Sequence, residues 1–275
     1  MNERMSDMIC FGMPTLIENE TLEDNARLCQ RLGLKFLELN MNFPEYQINQ
    51  LERTEELRQL ADECGIFYTI HLDENLDPAA FNPLVRKAWM ETARKTAEVA
   101  LKLEAPVVNM HLCHGIYVTL PDRKVRMYDR DRSVYLSHVR EFRKEMETVL
   151  SGTGTKICLE NTDGFLSFER AAVEEMLQSS VFGLTWDIGH SKATGEKDVP
   201  FLMGKKERLC HFHIHDGKEE PPKNHLALGD GDIDLRARLT LAKECTARCV
   251  LETKTVKALE ASVLWLKERS YLPII

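Results

Sequence analysis

Short apolar runs alternate with longer amphipathic segments along the whole chain. Short apolar runs bounded by turn residues are typical of buried strands, whereas apolar residues recurring every three or four positions are typical of helices. The pattern predicts strands at 8–12, 36–39, 66–71, 106–111, 156–160, 182–187, 211–216 and 249–252. It predicts helices at 22–32, 50–64, 83–104, 133–150, 168–178, 199–207, 234–246 and 256–269.

Alternating strands and helices predict a parallel sheet. Eight such units predict one closed (β/α)8 TIM barrel over residues 1–275, with functional side chains at the C-terminal ends of the strands. An open doubly wound sheet is the alternative. Its dinucleotide-binding form is disfavoured, because no G-x-G-x-x-G motif follows the first strand.

The ends of the predicted strands carry side chains of the types that bind metal ions. These side chains are Glu38, His71, His111, Glu160, Asp187, His213, His215 and Glu252. On strand seven, alternation places His211, His213 and His215 on one face and the apolar residues between them on the other. Neutral imidazole is the commonest side-chain metal ligand. Burying unpaired charge is costly, so acids gathered at one rim predict a divalent cation among them.

Five short motifs, in chain order, resemble the xylose isomerase-like barrel superfamily. They are Leu159-Glu160-Asn161, Trp186-Asp187-Ile188-Gly189-His190, His213-Ile214-His215-Asp216, His225 with Leu228-Gly229-Asp230-Gly231, and Leu251-Glu252. That superfamily includes sugar isomerases and epimerases, and abasic-site nucleases of the endonuclease IV type. The resemblance implies a metal site of Glu160, Asp187, His213 and Glu252. It also implies that Glu160 and Glu252 act as acid and base on opposite faces of the substrate.

Physical chemistry supports this implied activity. A divalent ion polarises the carbonyl of a chelated hydroxy-ketone and acidifies the adjacent C–H. A carboxylate can then remove the proton to give an enediolate, and proton return epimerises or isomerises the sugar. We expect a metal-dependent isomerase or epimerase of a sugar, sugar phosphate or keto-polyol. Its cofactor would be one Mn²⁺, Mg²⁺, Co²⁺ or Zn²⁺ ion. A keto-polyol dehydratase or lyase is an alternative, since its first step is the same, and a non-catalytic metal-binding barrel stays open.

The roles of the remaining histidines, of Glu38 and of the basic run are less specifically predicted. We expect His71, His111, His190 and His225 to bind substrate, although a backbone-bonded loop histidine is an equal interpretation of His190. A surface or helix-capping role suits Glu38 about as well as a role in the site. His114 and His138 are given no role, and His138 is expected on a helix surface. Trp89 and Trp186 are expected in the core or the pocket wall. The basic run at 123–132 predicts a solvated loop or, alternatively, a lid over a phosphate or carboxylate.

An abasic-site nuclease is the main alternative from another class. Such enzymes bind three zinc ions, and most of their ligand positions are matched by His71, His111, Glu160, Asp187, His190, His213, His225 and Glu252. One acidic ligand is not matched, because the expected Asp-x-His pair is Lys223-Asn224-His225. A lysine there repels a metal ion. The formal net charge of −8 also disfavours binding to nucleic acid.

Composition sets the remaining expectations. The 275 residues are 43% hydrophobic, without an apolar run long enough for a transmembrane helix. Residues 1–7 lack the basic-then-apolar pattern of a secretory signal. The eight cysteines are scattered without a C-x-x-C pair, which predicts reduced thiols. We therefore expect a cytoplasmic protein that acts on a small-molecule carbohydrate or keto-polyol, without a membrane partner. The sequence leaves a homo-oligomer open.

Overall fold

A computed structural model describes residues 9–273 of the chain. Its strands are β1 (Cys10–Pro14), β2 (Phe36–Asn40), β3 (Phe67–His71), β4 (Val107–His111), β5 (Tyr117–Thr119), β6 (Lys124–Arg126), β7 (Lys156–Glu160), β8 (Phe182–Asp187), β9 (Leu209–Ile214), β10 (Asp216–Lys218), β11 (Lys223–Leu226) and β12 (Arg248–Leu251). Its α-helices are α1 (Leu22–Leu32), α2 (Ile48–Leu51), α3 (Thr54–Cys64), α4 (Pro83–Lys102), α5 (Met127–Arg130), α6 (Arg132–Leu150), α7 (Ser167–Met176), α8 (Ile188–Ala193), α9 (Val199–Met203), α10 (Leu235–Glu244) and α11 (Val256–Glu268).

Eight parallel strands close into a barrel in the order β1-β12-β9-β8-β7-β4-β3-β2. The predicted TIM barrel is therefore confirmed, and each predicted strand matches one barrel strand with small shifts at the ends. Met8 of the first predicted strand, and the segment 1–7 in which no signal was expected, lie outside the described residues. Within residues 9–273, no helix is both long enough and apolar enough to cross a membrane.

Local signals set several helix boundaries. The Thr21 hydroxyl accepts the Asp24 N–H at 3.1 Å and caps α1, which ends where Gly33 adopts a left-handed φ of 78°. Asn82 caps α4, and Pro83 occupies the first turn, where no backbone donor is needed. These capping residues explain why α1 begins and ends at the predicted residues.

Some connections contain structure that the sequence pattern did not predict. The predicted helix 50–64 is interrupted at Arg53 (ψ 54°), which separates α2 from α3. The predicted loop 112–132 contains the β5–β6 hairpin and α5, and the connection after β9 contains the β10–β11 hairpin. The predicted helix 199–207 stops at Met203. The hairpin strands are only three or four residues long, too short to show the apolar alternation that identifies a strand. The residues of β5, β6 and β11 are exposed or half-buried, whereas Asp216 and Gly217 of β10 are buried.

Near the C-terminal ends of β8 and β9, the outward-facing side chains are apolar and the inward-facing ones are polar. Trp186 and Phe212 point outward and stack with ring centroids 5.9 Å apart, and the Arg238 guanidinium of α10 lies 4.6 Å from the Trp186 ring. Their neighbours Asp187 and His213 are register partners on β8 and β9 and point inward. The predicted alternation on strand seven and the core position of Trp186 are confirmed.

Candidate metal centre and active site

Four side chains meet at the C-terminal end of the barrel. Glu160 ends β7, Asp187 ends β8, His213 lies on β9, and Glu252 follows β12. One donor atom from each lies within 4.8 Å of the other three. All four residues are buried, and Glu252 is the most exposed at 7%. Residues far apart in sequence meet here because β7, β8, β9 and β12 are neighbours in the barrel.

Three of the inward-facing donor atoms are buried and lack a hydrogen-bond partner: Glu160 Oε1, His213 Nδ1 and Glu252 Oε2. The His213 Nδ1 atom lies 3.2 Å from each of the two glutamate oxygens and 3.9 Å from Asp187 Oδ2, but it is not aligned for a hydrogen bond with any of them. Buried polar atoms normally find partners, so a cluster of unpartnered ones needs an explanation. Three carboxylates and one imidazole are a suitable donor set for a divalent ion of the Mn²⁺, Mg²⁺, Co²⁺ or Zn²⁺ type.

The outer oxygens of the two glutamates are held by other side chains. Glu160 Oε2 accepts the Asn109 amide and lies 3.1 Å from His111 Nε2 and 3.4 Å from His71 Nε2. Glu252 Oε1 accepts the Lys254 ammonium at 2.8 Å. Each glutamate is therefore anchored through one oxygen while its second oxygen faces the centre.

Glu38 lies one layer deeper in the barrel and is 1% exposed. Its Oε2 atom accepts the Thr69 hydroxyl at 2.8 Å and lies 3.0 Å from His211 Nε2. Its Oε1 atom lies 2.9 Å from His213 Nε2. The surface or helix-capping interpretation of Glu38 is wrong, because surrounding donors replace water around a buried carboxylate.

The electrostatics of the centre favour a cation. Burial acts to raise the pKa of Glu160, but His213 and His111 hold that pKa well below its ordinary value. Burial also acts to raise the pKa of Glu252, yet His213 and Lys254 keep that pKa low. For His213, burial acts to lower the pKa, but the surrounding glutamates raise it well above its ordinary value. The Glu160 and Glu252 carboxylates thus favour their anionic forms, which positive charge at the centre stabilises.

A cavity of about 770 Å³ opens beside this centre. Its polar lining includes His111, His114, His190, His225, Glu252 and Lys254. Trp89 also contributes to the lining, as expected for a pocket-wall residue. Glu252 is therefore the member of the four-residue centre that borders the cavity directly.

The histidines with a predicted substrate role lie at two depths. His111, His190 and His225 line the cavity. His71 is 4% exposed and packs edge-on to His111, with ring centroids 4.8 Å apart. The backbone contact considered for His190 is present, since its Nδ1 atom lies 3.3 Å from the Asn161 carbonyl. That contact leaves Nε2 of His190 for other partners.

Other residues differ from their expected placement. His138 lies on α6 as expected, but it is half-buried with Nδ1 3.1 Å from the Ala79 carbonyl, so its side chain is less exposed than a helix-surface position implies. His114, which was given no role, contacts Glu169 and lies 3.0 Å from Asp163 Oδ2 at the cavity.

The basic segment 123–132 forms local ion pairs. Arg123 pairs with Asp122, Arg130 with Asp131, and Arg132 with Asp129. Arg123 and Arg130 also border a second cavity that shares none of its described lining residues with the cavity beside the centre. Although β6 and α5 make this segment more regular than the predicted loop, its local ion pairs favour a solvated surface segment over the lid.

Sequence reasoning missed Asn109, Lys254 and the role of His215. His215 had a signal, since it continues the period-two histidine pattern of His211 and His213. Lys254 stands two residues after Glu252, but a lysine beyond the end of a strand gives no indication of its partner. Asn109 lies two residues before His111 on β4, but an asparagine inside an apolar strand gives no indication of its partner.

The fold and the site define a TIM barrel with an acid-and-imidazole centre at the C-terminal ends of its strands. Residues 26–269 match the profile of the xylose isomerase-like TIM barrel family. The chain belongs to this family, which confirms the resemblance seen in its motifs.

Two relatives align over most of their length. An uncharacterised protein of Methanocaldococcus jannaschii is 28% identical over 230 residues, covering 80% of this chain and 74% of that protein. An inosose isomerase of Bacillus velezensis is 23% identical over 261 residues, covering 86% of this chain and 84% of that protein.

Two solved structures share the fold. The crystal structure of a D-tagatose 3-epimerase-like protein has a TM-score of 0.76 and 24% identity, covering 94% of this chain and 96% of that chain. The structure of the IolI protein with a bound zinc atom has a TM-score of 0.72 and 15% identity, covering 97% of this chain and 100% of that chain.

Proposed function

We propose that the protein is a divalent-metal-dependent isomerase or epimerase of a keto-sugar or keto-polyol. One observation carries the proposal: buried, unpartnered donor atoms of Glu160, His213 and Glu252 face one point beside a polar cavity. The similarity to proteins named as an inosose isomerase and a tagatose epimerase-like protein supports this class of reaction.

The residues that would hold the ion are Glu160, Asp187, His213 and Glu252. They supply three carboxylates and one imidazole, and we propose one ion per chain, of Mn²⁺, Mg²⁺, Co²⁺ or Zn²⁺. When bound, such an ion acts as a Lewis acid that polarises a carbonyl and acidifies the neighbouring C–H. The unpartnered inner atoms fit this ion, since coordination would satisfy Glu160 Oε1, His213 Nδ1 and Glu252 Oε2 together.

Glu160 and Glu252 are the proposed acid and base. Their inner oxygens each lie 3.2 Å from His213 Nδ1, and the two residues stand at the ends of different barrel strands, β7 and β12, so we propose that they approach a bound substrate from different directions. One carboxylate removes the proton beside the carbonyl, giving an enediolate, and the other returns a proton. Return to the opposite face of the same carbon epimerises the substrate, and return to the neighbouring carbon isomerises it.

The cavity histidines would orient the substrate. His111, His190 and His225 place imidazoles around the opening, where each can donate to or accept from a hydroxyl group. His71 is deeper and contacts Glu160, so a direct bond to substrate would need a hydroxyl that reaches the floor of the site. We keep all four as proposed substrate-binding residues.

The charge of the cavity wall favours an uncharged substrate. The carboxylates of Glu74 and Asp77 line the cavity, and the Lys254 ammonium is held by Glu252. A phosphate brought next to these acids would be repelled, whereas hydroxyl groups can accept or donate hydrogen bonds there. We therefore propose a free keto-sugar or keto-polyol as substrate and not a sugar phosphate.

Nuclease activity has less support. Lys223, at the position of the missing acidic ligand, is exposed on β11 opposite Lys218. The net charge of −8 also opposes association with a polyphosphate backbone.

Deuterium exchange tests the proposal. The purified protein is stripped with chelator, reloaded with each of the four metals, and incubated in heavy water with a panel of ketoses, inososes and their phosphates. We expect metal-dependent uptake of deuterium beside the carbonyl of a free ketose or inosose, and loss of uptake in Glu160→Gln and Glu252→Gln. Undiminished exchange in both variants would exclude the acid and base assignment. Loss of water from the substrate would instead identify a dehydratase, and cleavage of abasic duplex DNA would identify a nuclease.

A further inference from the structure

His215 is fully buried, and both nitrogens of its ring have partners. The backbone N–H of His225 lies 2.7 Å from Nδ1, and a backbone N–H can only donate. The Asp216 carbonyl oxygen also lies near Nδ1, at 3.2 Å, but the shorter contact comes from a group that can only donate. Nδ1 is therefore assigned as the acceptor, and the ring proton sits on Nε2. That nitrogen lies 2.9 Å from Asp187 Oδ1 and 3.0 Å from Asp187 Oδ2. The geometry thus fixes one tautomer, in which His215 donates to Asp187.

We propose that His215 is a positioning residue that aims the Asp187 carboxylate at the metal centre. This inference rests on the proposed function, because it assigns a second layer around the same ion. The Asp187 backbone is held by Asn161, and its carboxylate also accepts the His190 N–H at 2.6 Å. Donation from His215 adds a second restraint on carboxylate rotation, so one oxygen keeps facing Glu160 and His213.

The surroundings of the ring are shaped to hold it in one orientation. Gly189 directly faces the ring, and a Cβ atom at this glycine would lie 1.8 Å from His215 Cε1. The His225 ring also packs against His215, with centroids 4.3 Å apart. The absence of a side chain at Gly189 is thus what gives the imidazole room to reach Asp187.

The donor to His215 comes from the β10–β11 hairpin, which is itself tied to the barrel. The Asp216 carboxylate accepts backbone N–H groups of Gly217 and Gly229 at 2.9 Å and of Ile233 at 3.2 Å. These bonds fix the hairpin, the hairpin fixes the tautomer of His215, and His215 orients Asp187.

An alternative use of the same histidines is a separate metal site. Ring nitrogens of His190, His215 and His225 also lie within 4.8 Å of one another. Coordination by His215 would require breaking its bond either to Asp187 or to the His225 backbone. The observed bonds therefore favour the positioning role.

Metal affinity measured without substrate tests the proposal. Chelator-stripped protein is titrated with Zn²⁺ and with Mn²⁺ in competition with a chromophoric chelator. Loss of a residue behind a metal ligand typically weakens affinity by about 10–100-fold, and we expect that loss in His215→Ala and His215→Asn. His215→Gln should recover most of the affinity, because its amide can accept from His225 and donate to Asp187. In the matched control His138→Ala, a half-buried imidazole outside the cavity lining is removed, so affinity should stay within a few-fold of the unmodified protein.

The measured metal affinities decide whether His215 positions Asp187. Near-UV circular dichroism identifies variants that keep the fold, and the Asn and Gln variants decide the matter where the Ala variant does not fold. A folded His215→Asn protein with unchanged affinity would overturn the proposal, as would a Gln variant no better than Asn. Failure of the unmodified protein to bind either metal would instead contradict the proposed function itself.

Discussion

The side chain of Asn161 pairs with the main chain of Asp187 as a neighbouring strand would. Asn161 Oδ1 accepts the Asp187 N–H at 2.8 Å, and Asn161 Nδ2 donates to the Asp187 carbonyl at 2.9 Å. The same amide also donates to the buried Asp198 carboxylate at 2.7 Å. Since Asn161 directly follows Glu160, this pairing fixes the spacing between two members of the centre.

Replacing Asn161 with Ala should destabilise the protein clearly. Two backbone groups of Asp187 and the Asp198 carboxylate would lose a buried partner, and each unsatisfied group costs about 1–3 kcal/mol. We expect the free energy of unfolding of the metal-free protein to fall by roughly 2–4 kcal/mol in a denaturant titration. The exposed Asn224→Ala variant is the control and should change it by about 0.5 kcal/mol or less. An Asn161→Ala effect no larger than this control would show that the pairing contributes little.

Metal removal should lower thermal stability if the centre holds an ion. A ligand at 100 times its dissociation constant stabilises the folded state by about 2.7 kcal/mol. For a chain of this size, that corresponds to a rise of roughly 5–8 °C in the melting temperature on adding metal to stripped protein. The rise should disappear in Asp187→Asn and His213→Asn when followed by calorimetry. A full rise in both variants would place the stabilising ion elsewhere.

Lys254 should affect catalysis through Glu252. Its ammonium group holds Glu252 Oε1 at 2.8 Å, which leaves Oε2 directed at the centre. Without this bond the carboxylate can rotate away from the substrate. We expect Lys254→Met to lower the rate of deuterium exchange by about 10-fold or more, with partial recovery in Lys254→Arg. Equal exchange rates in the unmodified protein, Lys254→Met and Lys254→Arg would show that Lys254 does not contribute to the reaction.

The His114 cluster predicts a pH-dependent contribution to stability. The hydrogen bond to Glu169 raises the pKa of His114 above its ordinary value, against an opposing effect of burial. A raised folded-state pKa stabilises the protein fully below the unfolded pKa of about 6.5, and this stabilisation disappears as pH rises through the folded pKa. His114→Gln should therefore destabilise the protein more at pH 6 than at pH 9 in parallel denaturant titrations.

The control for this pH dependence is His138→Gln, which replaces another half-buried histidine of the same chain. Comparing the two variants at both pH values separates the Glu169 interaction from the general effect of losing an imidazole. A loss of stability in His114→Gln that is constant or larger at pH 9 would contradict the assignment.

The barrel could be predicted from sequence because its signal is repetitive. Eight apolar strands alternate with helices, and caps such as Thr21 and Gly33 mark helix ends locally. The β5–β6 and β10–β11 hairpins were not predictable in the same way. Their strands are only three or four residues long, so no periodic apolar face distinguishes them from loops.

The convergence of the metal-ligand residue types could also be anticipated, since parallel strands deliver their C-terminal ends to one rim. The surroundings of those residues could not. The sequence alone suits Glu38 equally to a surface position and to the site. Only the register of β2 with β3 places its carboxylate beside Thr69. The partner of His215 is a backbone N–H from a hairpin ten residues later, and such a contact leaves no pattern in residue types.

The position of a bound ion tests the central claim most directly. A crystal of the protein soaked with Mn²⁺ or Zn²⁺ and measured at the absorption edge of the metal locates the ion by anomalous scattering. We predict one strong peak per chain within coordination distance of Glu160, Asp187, His213 and Glu252. A peak confined to other histidines, or no peak among these four side chains at saturating metal, would contradict it.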